Sequence, residues 1–78
     1  MNNKELAIYA GNKIKEFRKI KNWTQQQLAT KLNTTKATIS NYETGYRSPK
    51  KDMLFRIADV FNISIDDFFP TPTAEQNT

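Results

Sequence analysis

The sequence predicts an all-α domain, a compact bundle of five short helices over residues 5–69, followed by a disordered polar tail at residues 70–78. Three observations predict this fold class. Apolar residues recur three and four positions apart along most of the chain, and no segment alternates apolar and polar residues over five positions. Capping residues and Asn or Gly stops divide the periodic stretches into helices. A chain of 78 residues has room for one small core, so close helix packing must stabilise it.

Helix 1 is predicted over residues 5–21. Its apolar residues form one stripe that faces the core. The stripe consists of Leu6, Ala10, Ile14, Phe17 and Ile20. Asn22 is expected to end the helix, because Asn tolerates the left-handed backbone of a helix end better than most residues.

Helix 2 is predicted to begin directly after Thr24. Thr24 and Gln27 have the spacing of a capping box, in which each side chain bonds the other residue's free backbone N–H. The helix should end at Lys31 or Leu32. Asn33 then turns the chain, since Asn adopts positive φ more easily than most residues.

Helix 3 is predicted to follow a cap at Thr35 and to run through Glu43, with Gly45 in the left-handed position that ends it. Ile39 and Tyr42, three residues apart, are its apolar anchors. The helix is short, and most of its remaining residues are small and polar.

The last two helices have weaker start signals. Ser48 and Pro49 suit the N-cap and first position of helix 4. The inward residues of helix 4 are Met53, Leu54, Ile57, Ala58 and Phe61, and Asn62 is expected to end the helix. Ser64 and Asp67 have capping-box spacing for a short helix 5, which Pro70 cannot continue.

The composition argues against an enzyme. The chain has no Cys and no His, which excludes disulfides and thiolate zinc sites and removes the commonest general base. A hydrolase built on Asp59, Asp66 and Asp67 is therefore disfavoured, and we expect no metal, cofactor or small-molecule substrate. No run approaches the roughly 18 apolar residues that a membrane span needs. The first residues, MNNKELAIYAGNK, lack the apolar segment of a signal peptide, so we expect a cytoplasmic protein.

Charge is distributed unevenly along the chain. Residues 1–51 carry eleven Lys or Arg and three acids, whereas residues 52–78 carry one Arg and five acids. A basic half of this kind favours a polyanionic partner such as DNA, RNA or an anionic membrane. The competing interpretation is an ordinary solvated lysine surface.

The spacing of three residues favours DNA among these partners. Ala29 is small enough to let two helices cross steeply, Asn33 turns the chain four residues later, and Ile39 anchors the next helix six residues after that. A DNA-binding helix-turn-helix needs this arrangement, in which the first helix braces and the second enters the major groove.

Three segments of the chain occur in an order and at intervals that are typical of a known family. They are KIKEFRKIKNWTQQQLATKL, TKATISNYETGYRSP and LFRIADVFNISIDDFF, within residues 13–69. Together they resemble the Cro/repressor-type (XRE) helix-turn-helix DNA-binding proteins. The resemblance implies a lambda-repressor-like five-helix bundle that binds operator DNA, usually as a dimer and commonly to repress transcription. The chain departs from the family pattern at Asn33, where Gly is usual, and at Lys51, where Leu is common.

The outward face of helix 3 carries the predicted base contacts. At about 100° per residue, Ile39 and Tyr42 point to one side of the helix. The opposite side presents Lys36, Ala37, Ser40 and Asn41. An ammonium, a methyl, a hydroxyl and an amide match the groups by which proteins read base edges in the major groove. The alternative is a merely polar face, although its Ser and Asn cost helix propensity without local gain.

A second set of residues is expected to contact the DNA backbone, which sets affinity and register. The set is Gln25, Gln26, Thr35, Thr38, Tyr46, Arg47 and Lys50. The resemblance implies that Gln25 contacts a phosphate and buttresses helix 3. The plainer interpretation is that both glutamines simply tolerate the first turn of helix 2.

The resemblance also implies an ion pair between Arg18 and Glu43, which would brace helix 1 against the end of helix 3. The pair would orient helix 3 rather than bind DNA. The alternative, that Arg18 reaches a phosphate, is equally compatible with the sequence.

We therefore expect a sequence-specific regulator of transcription that binds double-stranded DNA. It should be a repressor that occupies a palindromic operator as a homodimer, with helix 3 in the major groove. Ile65, Phe68 and Phe69 are the predicted dimer surface, unless these phenylalanines only close the core. The alternative function is a DNA-binding antitoxin or protein-interaction module whose C-terminal end binds a partner protein.

Overall fold

A computed structural model describes residues 2–70 and confirms the all-α fold class in that part of the chain. The described elements are α1 (Asn3–Ile20), α2 (Gln25–Lys31), α3 (Lys36–Thr44), α4 (Lys51–Phe61) and a 3₁₀ helix (Ile65–Phe68). None of these helices combines the length and hydrophobicity needed to cross a membrane. The prediction of a disordered tail concerns residues 70–78, of which residues 71–78 lie outside the described residues.

The prediction of a fifth α-helix is wrong. Residues 65–68 form a single 3₁₀ helix, so residues 2–70 contain four α-helices. The Ser64 side chain accepts from the N–H of Asp66 at 3.1 Å, not from that of Asp67. The backbone of Phe69 is extended, as the following Pro70 requires, so the segment ends before an α-helical turn can form.

The predicted helix ends are confirmed. Asn22, Asn33 and Asn62 have φ values of 62°, 57° and 59°, and Gly45 has φ 80°. Each residue follows the end of a helix, where the left-handed backbone turns the chain out of the helical path.

The predicted starts of α2 and α3 are also confirmed. The N–H of Gln27 donates to Thr24 Oγ1 at 3.0 Å, and the N–H of Thr24 donates to Gln27 Oε1 at 2.7 Å. At the start of α3, Thr35 Oγ1 accepts from the N–H of Thr38 at 3.1 Å.

The starts of α1 and α4 differ from the predictions. Asn2 and Glu5 form a capping box that begins α1 at Asn3, two residues earlier than predicted. Helix α4 begins at Lys51, because Lys50 is extended and supplies the first helical carbonyl, to the N–H of Leu54. The predicted cap at Ser48 is wrong, since the N-cap of α4 is Lys50. Ser48 and Pro49 instead line an apolar groove with Leu6 and Ala7 of α1.

One cluster of buried side chains joins all the helices. It consists of Ala10, Ile14, Leu28, Ala29, Leu32, Ile39, Tyr42, Leu54, Ile57, Ala58, Phe61 and Phe68. Trp23 stacks on Phe61 with ring centroids 5.7 Å apart, and Phe17 lies at the same distance from Phe61. The prediction that Ile20 faces this core is wrong, since 66% of its surface is exposed.

Helix α1 passes so close to α3 that only glycine fits at the crossing. A Cβ atom on Gly11 would overlap the carbonyl oxygen of Tyr42. At Gly45, a Cβ would lie 2.7 Å from Cγ1 of Ile8. Because α3 contacts α1 backbone to backbone, its position in the fold is closely fixed.

Candidate nucleic-acid interface

Helix α3 buries one side and exposes the other. Ile39 and Tyr42 are buried, whereas Lys36 and Ala37 are exposed. Ser40, Asn41 and Thr38 are half-buried. No acidic side chain lies on the exposed side, because Glu43 points into the fold. The contact of Lys36, Ala37, Ser40 and Asn41 with bases stays a prediction.

A buried network beneath α3 joins three helices. Arg18 of α1 donates from Nε to Glu43 Oε2 at 2.6 Å and from Nη2 to Glu43 Oε1 at 3.2 Å. Gln25 of α2 donates from Nε2 to the same Oε1 at 3.0 Å. Glu43, at the end of α3, is only 6% exposed. A carboxylate held by three donors fixes the end of α3 against both α1 and α2.

The network favours the first of the two interpretations of Arg18, the ion pair with Glu43. Its Nη1 donates to the carbonyl of Trp23 at 2.7 Å, so both ends of the guanidinium are used inside the protein. Arg18 is buried and pairs with Glu43. Arg18 thus links α1 to the end of α3 and to the carbonyl of Trp23, and only 11% of its side chain is exposed.

The two glutamines at the start of α2 differ in their surroundings. Gln25 is half-buried and supplies the predicted buttress through Glu43. Gln26 is exposed and donates to Thr30 Oγ1 at 3.3 Å. Contact of either residue with a phosphate stays a prediction.

The loop that follows α3 is folded back onto the end of that helix. The carbonyl of Asn41 accepts from the N–H of Arg47 at 3.2 Å and from Thr44 Oγ1 at 3.2 Å. The N–H of Tyr46 donates to Thr44 Oγ1 at 3.3 Å. Tyr46 is 81% exposed, and Arg47 and Lys50 are exposed as well. These bonds hold the backbone of the loop at Tyr46 and Arg47 against the end of α3.

The first turn of α3 presents two linked hydroxyl groups. Thr35 Oγ1 and Thr38 Oγ1 lie 2.9 Å apart. Thr35 is exposed, and its hydroxyl already caps the helix. Their predicted contact with the DNA backbone stays a prediction.

The predicted dimer surface needs one correction. Phe68 is fully buried in the core, so its side chain does not reach a partner. Phe69 is 41% exposed, and Ile65 is half-buried. Both line an apolar groove of about 330 Å³ between α1, α4 and the 3₁₀ helix. The other lining residues are Leu6, Ala7, Ala10, Ser48, Pro49, Lys51, Leu54 and Phe55.

Sequence reasoning missed two residues that position the interface. Gly11 permits the contact between α1 and α3, and a Gly inside a predicted helix was the available signal. Arg56 of α4 donates from Nη2 to the carbonyl of Leu32 at 2.6 Å. No local pattern signals this contact, because the two residues come together only in the folded chain.

Comparison with known proteins identifies the family of this chain. A family model described as helix-turn-helix matches residues 14–68. The chain belongs to the XRE family of helix-turn-helix proteins. The match covers both helices of the motif, the buried network and the 3₁₀ helix, and it confirms the resemblance drawn from the sequence.

Relatives of this XRE-family chain are named as regulators. It is 39% identical over 56 residues, 72% of its length, to the HTH-type transcriptional regulator ImmR of Bacillus subtilis, of which the match covers 44%. It is 39% identical over 59 residues, 76% of its length, to the competence pilus inhibition repressor of Acinetobacter baylyi, of which the match covers 54%. The chain thus matches about half the length of these relatives.

A solved structure shows the same fold. The restriction-modification controller protein C.AhdI from Aeromonas hydrophila superposes with a TM-score of 0.80 at 19% identity, over 88% of this chain and all of that one. At that identity the likeness establishes the fold alone. The XRE family assignment rests on the family model and on the relatives above.

Proposed function

We propose that this XRE-family chain is a sequence-specific repressor that binds a palindromic operator as a homodimer, with α3 in the major groove. The observation that supports the proposal is the distribution of charge and burial on α3. Its outward face is exposed at Lys36 and Ala37 and carries no acid, while the one acid of α3 is buried in a network that fixes the helix. A regulator that reads bases needs such a rigid, uncharged or basic face.

The proposed base contacts divide by chemistry. Lys36 suits the acceptors of guanine, and Asn41 suits the donor and acceptor pair of adenine. Ala37 suits the methyl group of thymine, and Ser40 can bond to several bases. The alternation of these four groups along one face would let each half-site specify a few base pairs.

The proposed backbone contacts flank this face on two sides. Gln25, Gln26, Thr35 and Thr38 lie at the starts of α2 and α3. Tyr46, Arg47 and Lys50 lie in the loop after α3. Contacts on both sides of the outward face of α3 would set the depth and register of this helix in the major groove. The excess of basic residues in the first 51 positions would supply the long-range attraction.

A dimer is proposed because one recognition helix reads too few base pairs for useful specificity. The apolar groove beside Ile65 and Phe69 is the surface that we assign to the second copy, with Phe55 at its rim. Phe55 is 50% exposed and Phe69 is 41% exposed. Pairing would bury these aromatic side chains and place the two half-sites about one helical turn, some 34 Å, apart. Repression is proposed because one relative is named as a repressor.

Selection of bound DNA from a random pool tests the proposal. The protein is incubated with random duplexes, and the bound fraction is sequenced over several rounds. We expect an enriched palindrome whose half-sites are centred about one helical turn, or about 10 base pairs, apart. No enrichment would contradict sequence-specific binding. Enrichment of a single half-site without an inverted repeat would contradict the dimer. Capture of a partner protein without DNA binding would favour the antitoxin alternative.

A further inference from the structure

The C-terminal end of α2 is held by a cation from a distant part of the chain. Helix α2 has only seven residues and ends at Lys31, with Leu32 as its C-cap. Arg56 of α4 donates from Nη2 to the carbonyl of Leu32 at 2.6 Å. Within residues 2–70, this is the one hydrogen bond that the Leu32 carbonyl accepts. Arg56 is also the one basic residue after position 51.

Two other carbonyls at this helix end are satisfied locally. The carbonyl of Ala29 accepts from the N–H of Thr34 at 2.9 Å, and that of Thr30 accepts from the N–H of Asn33 at 3.1 Å. These bonds close the turn on itself but do not attach it to the rest of the fold. The bond from Arg56 attaches the turn to α4, and its positive charge also complements the negative end of the α2 dipole.

We infer that Arg56 is a positioning residue for the recognition helix. The turn that it holds leads within three residues to Thr35, the cap of α3. The Arg18, Glu43 and Gln25 network fixes the opposite, C-terminal end of α3. Arg56 therefore fixes the turn that precedes α3. This bond and the network at the other end of α3 together set the tilt of the outward face of the helix. This inference rests on the proposed function, because tilt matters only if α3 reads bases.

A positioning role and a phosphate contact of Arg56 predict different effects on DNA binding. A charge-assisted hydrogen bond of 2.6 Å commits the Arg56 Nη2 to a protein carbonyl. Loss of the bond should make the turn more mobile and reduce the preference of α3 for particular bases. The number of phosphates that the protein neutralises should not change. Specificity should therefore fall while the salt dependence of binding stays the same.

Arg56→Met tests the inference, because it keeps the aliphatic part of the side chain and removes the donor. Arg56→Lys is the conservative variant, which keeps the charge and one donor. Lys15→Met is the matched control, since it removes an exposed cation from α1. For each protein, affinities for the selected operator and for a scrambled duplex are measured across salt concentrations, and amide exchange is followed by NMR.

For Arg56→Met we expect the ratio of operator to scrambled affinity to fall about tenfold, because hydrogen bonds from charged donors are among the stronger ones. The salt slope should match wild type, and the amides of Asn33 and Thr34 should exchange faster. Arg56→Lys should recover part of both effects. Lys15→Met should keep the wild-type ratio and exchange rates.

Two results would overturn the inference. Equal weakening on both duplexes, with a salt slope smaller by about 0.9, would mean that Arg56 neutralises a phosphate. Unchanged specificity and unchanged exchange at Asn33 and Thr34 would mean that the bond positions nothing. If wild type itself shows no operator preference, the proposed function fails, and the exchange rates still decide whether Arg56 holds the turn.

Discussion

Removal of Arg18 tests how the fold holds α3 in place. Arg18→Met preserves most of the side-chain volume but deletes the guanidinium that bonds Glu43 and the Trp23 carbonyl. The Glu43 side chain is 3% exposed, so its carboxylate would remain in the interior with Gln25 as its one donor among these partners. Arg18→Met therefore leaves a nearly unpaired buried charge.

The expected cost follows from that burial. Breaking a buried ion pair by removing one partner costs about 3–5 kcal/mol. A chain of 78 residues has a free energy of unfolding of about 4–12 kcal/mol, at about 0.05–0.15 kcal/mol per residue. With a urea m-value of about 1 kcal/mol/M for so small a chain, the unfolding midpoint should fall by about 3 M or more. Lys15→Met, an exposed cation on the same helix, should leave the midpoint almost unchanged.

A double-mutant cycle with Glu43→Gln separates charge from packing. In the double variant, a neutral amide replaces the carboxylate and can still accept from Gln25, so no buried charge remains unpaired. We expect the double variant to lose clearly less stability than the sum of the two single variants. A loss of less than about 1 kcal/mol in the free energy of unfolding of Arg18→Met, the value typical of an exposed pair, would mean that this ion pair does not hold α3 in place. Additive losses in the free energy of unfolding would mean that Arg18 and Glu43 are not coupled.

Four further perturbations test other parts of the account. Lys36→Ala should weaken binding to the selected operator by about 1–3 kcal/mol in competition titrations, with little change on a scrambled duplex. Equal weakening on both would remove Lys36 from the base contacts. Arg47→Ala should weaken binding to all duplexes alike and lower the salt slope by about 1, and an unchanged slope would contradict a phosphate contact. Gly11→Ala should lower the free energy of unfolding by about 1–3 kcal/mol, because the added methyl overlaps the Tyr42 carbonyl, and wild-type stability in urea would disprove that contact. Asn2→Ala should cost about 1 kcal/mol and speed amide exchange in the first turn of α1, unless the capping box does not form in solution.

The parts of the fold that follow from local chemistry could be predicted from the sequence. The capping box at Thr24 and Gln27 and the cap at Thr35 involve residues three positions apart. The turns at Asn33 and Gly45 depend on the backbone freedom of single residues. For such features the sequence contains both partners of the interaction within one turn, so α2 and α3 were predicted well.

The features that depend on contacts between distant segments could not be predicted in the same way. Ser48 is a good N-cap residue, but α4 begins three residues after it, behind the extended backbone of Lys50. Ile20 continues the apolar period of α1, yet Arg18 takes the buried position near the helix end because Glu43 is there to pair with it. Phe68 and Phe69 are identical in sequence terms, and only the path of the chain decides that Phe68 enters the core.

The candidate interface also combines features that the local sequence predicts with features that depend on tertiary contacts. The outward face of α3 was predicted from the helical period alone, and the structure exposes Lys36 and Ala37 as expected. The anchors beneath it depend on tertiary contacts. The resemblance implied the pair of Arg18 and Glu43, whereas the bond from Arg56 has no signal in the local sequence.

If the outward face of α3 reads base sequence, as we propose, removal of the Asn41 amide should change which bases are selected. DNA selected from one random pool by wild type and by Asn41→Ala should be sequenced in parallel. We predict that the variant loses its preference at one base pair in each half-site and keeps the remainder of the palindrome. An unchanged motif, or a uniform loss of enrichment at every position, would contradict the claim.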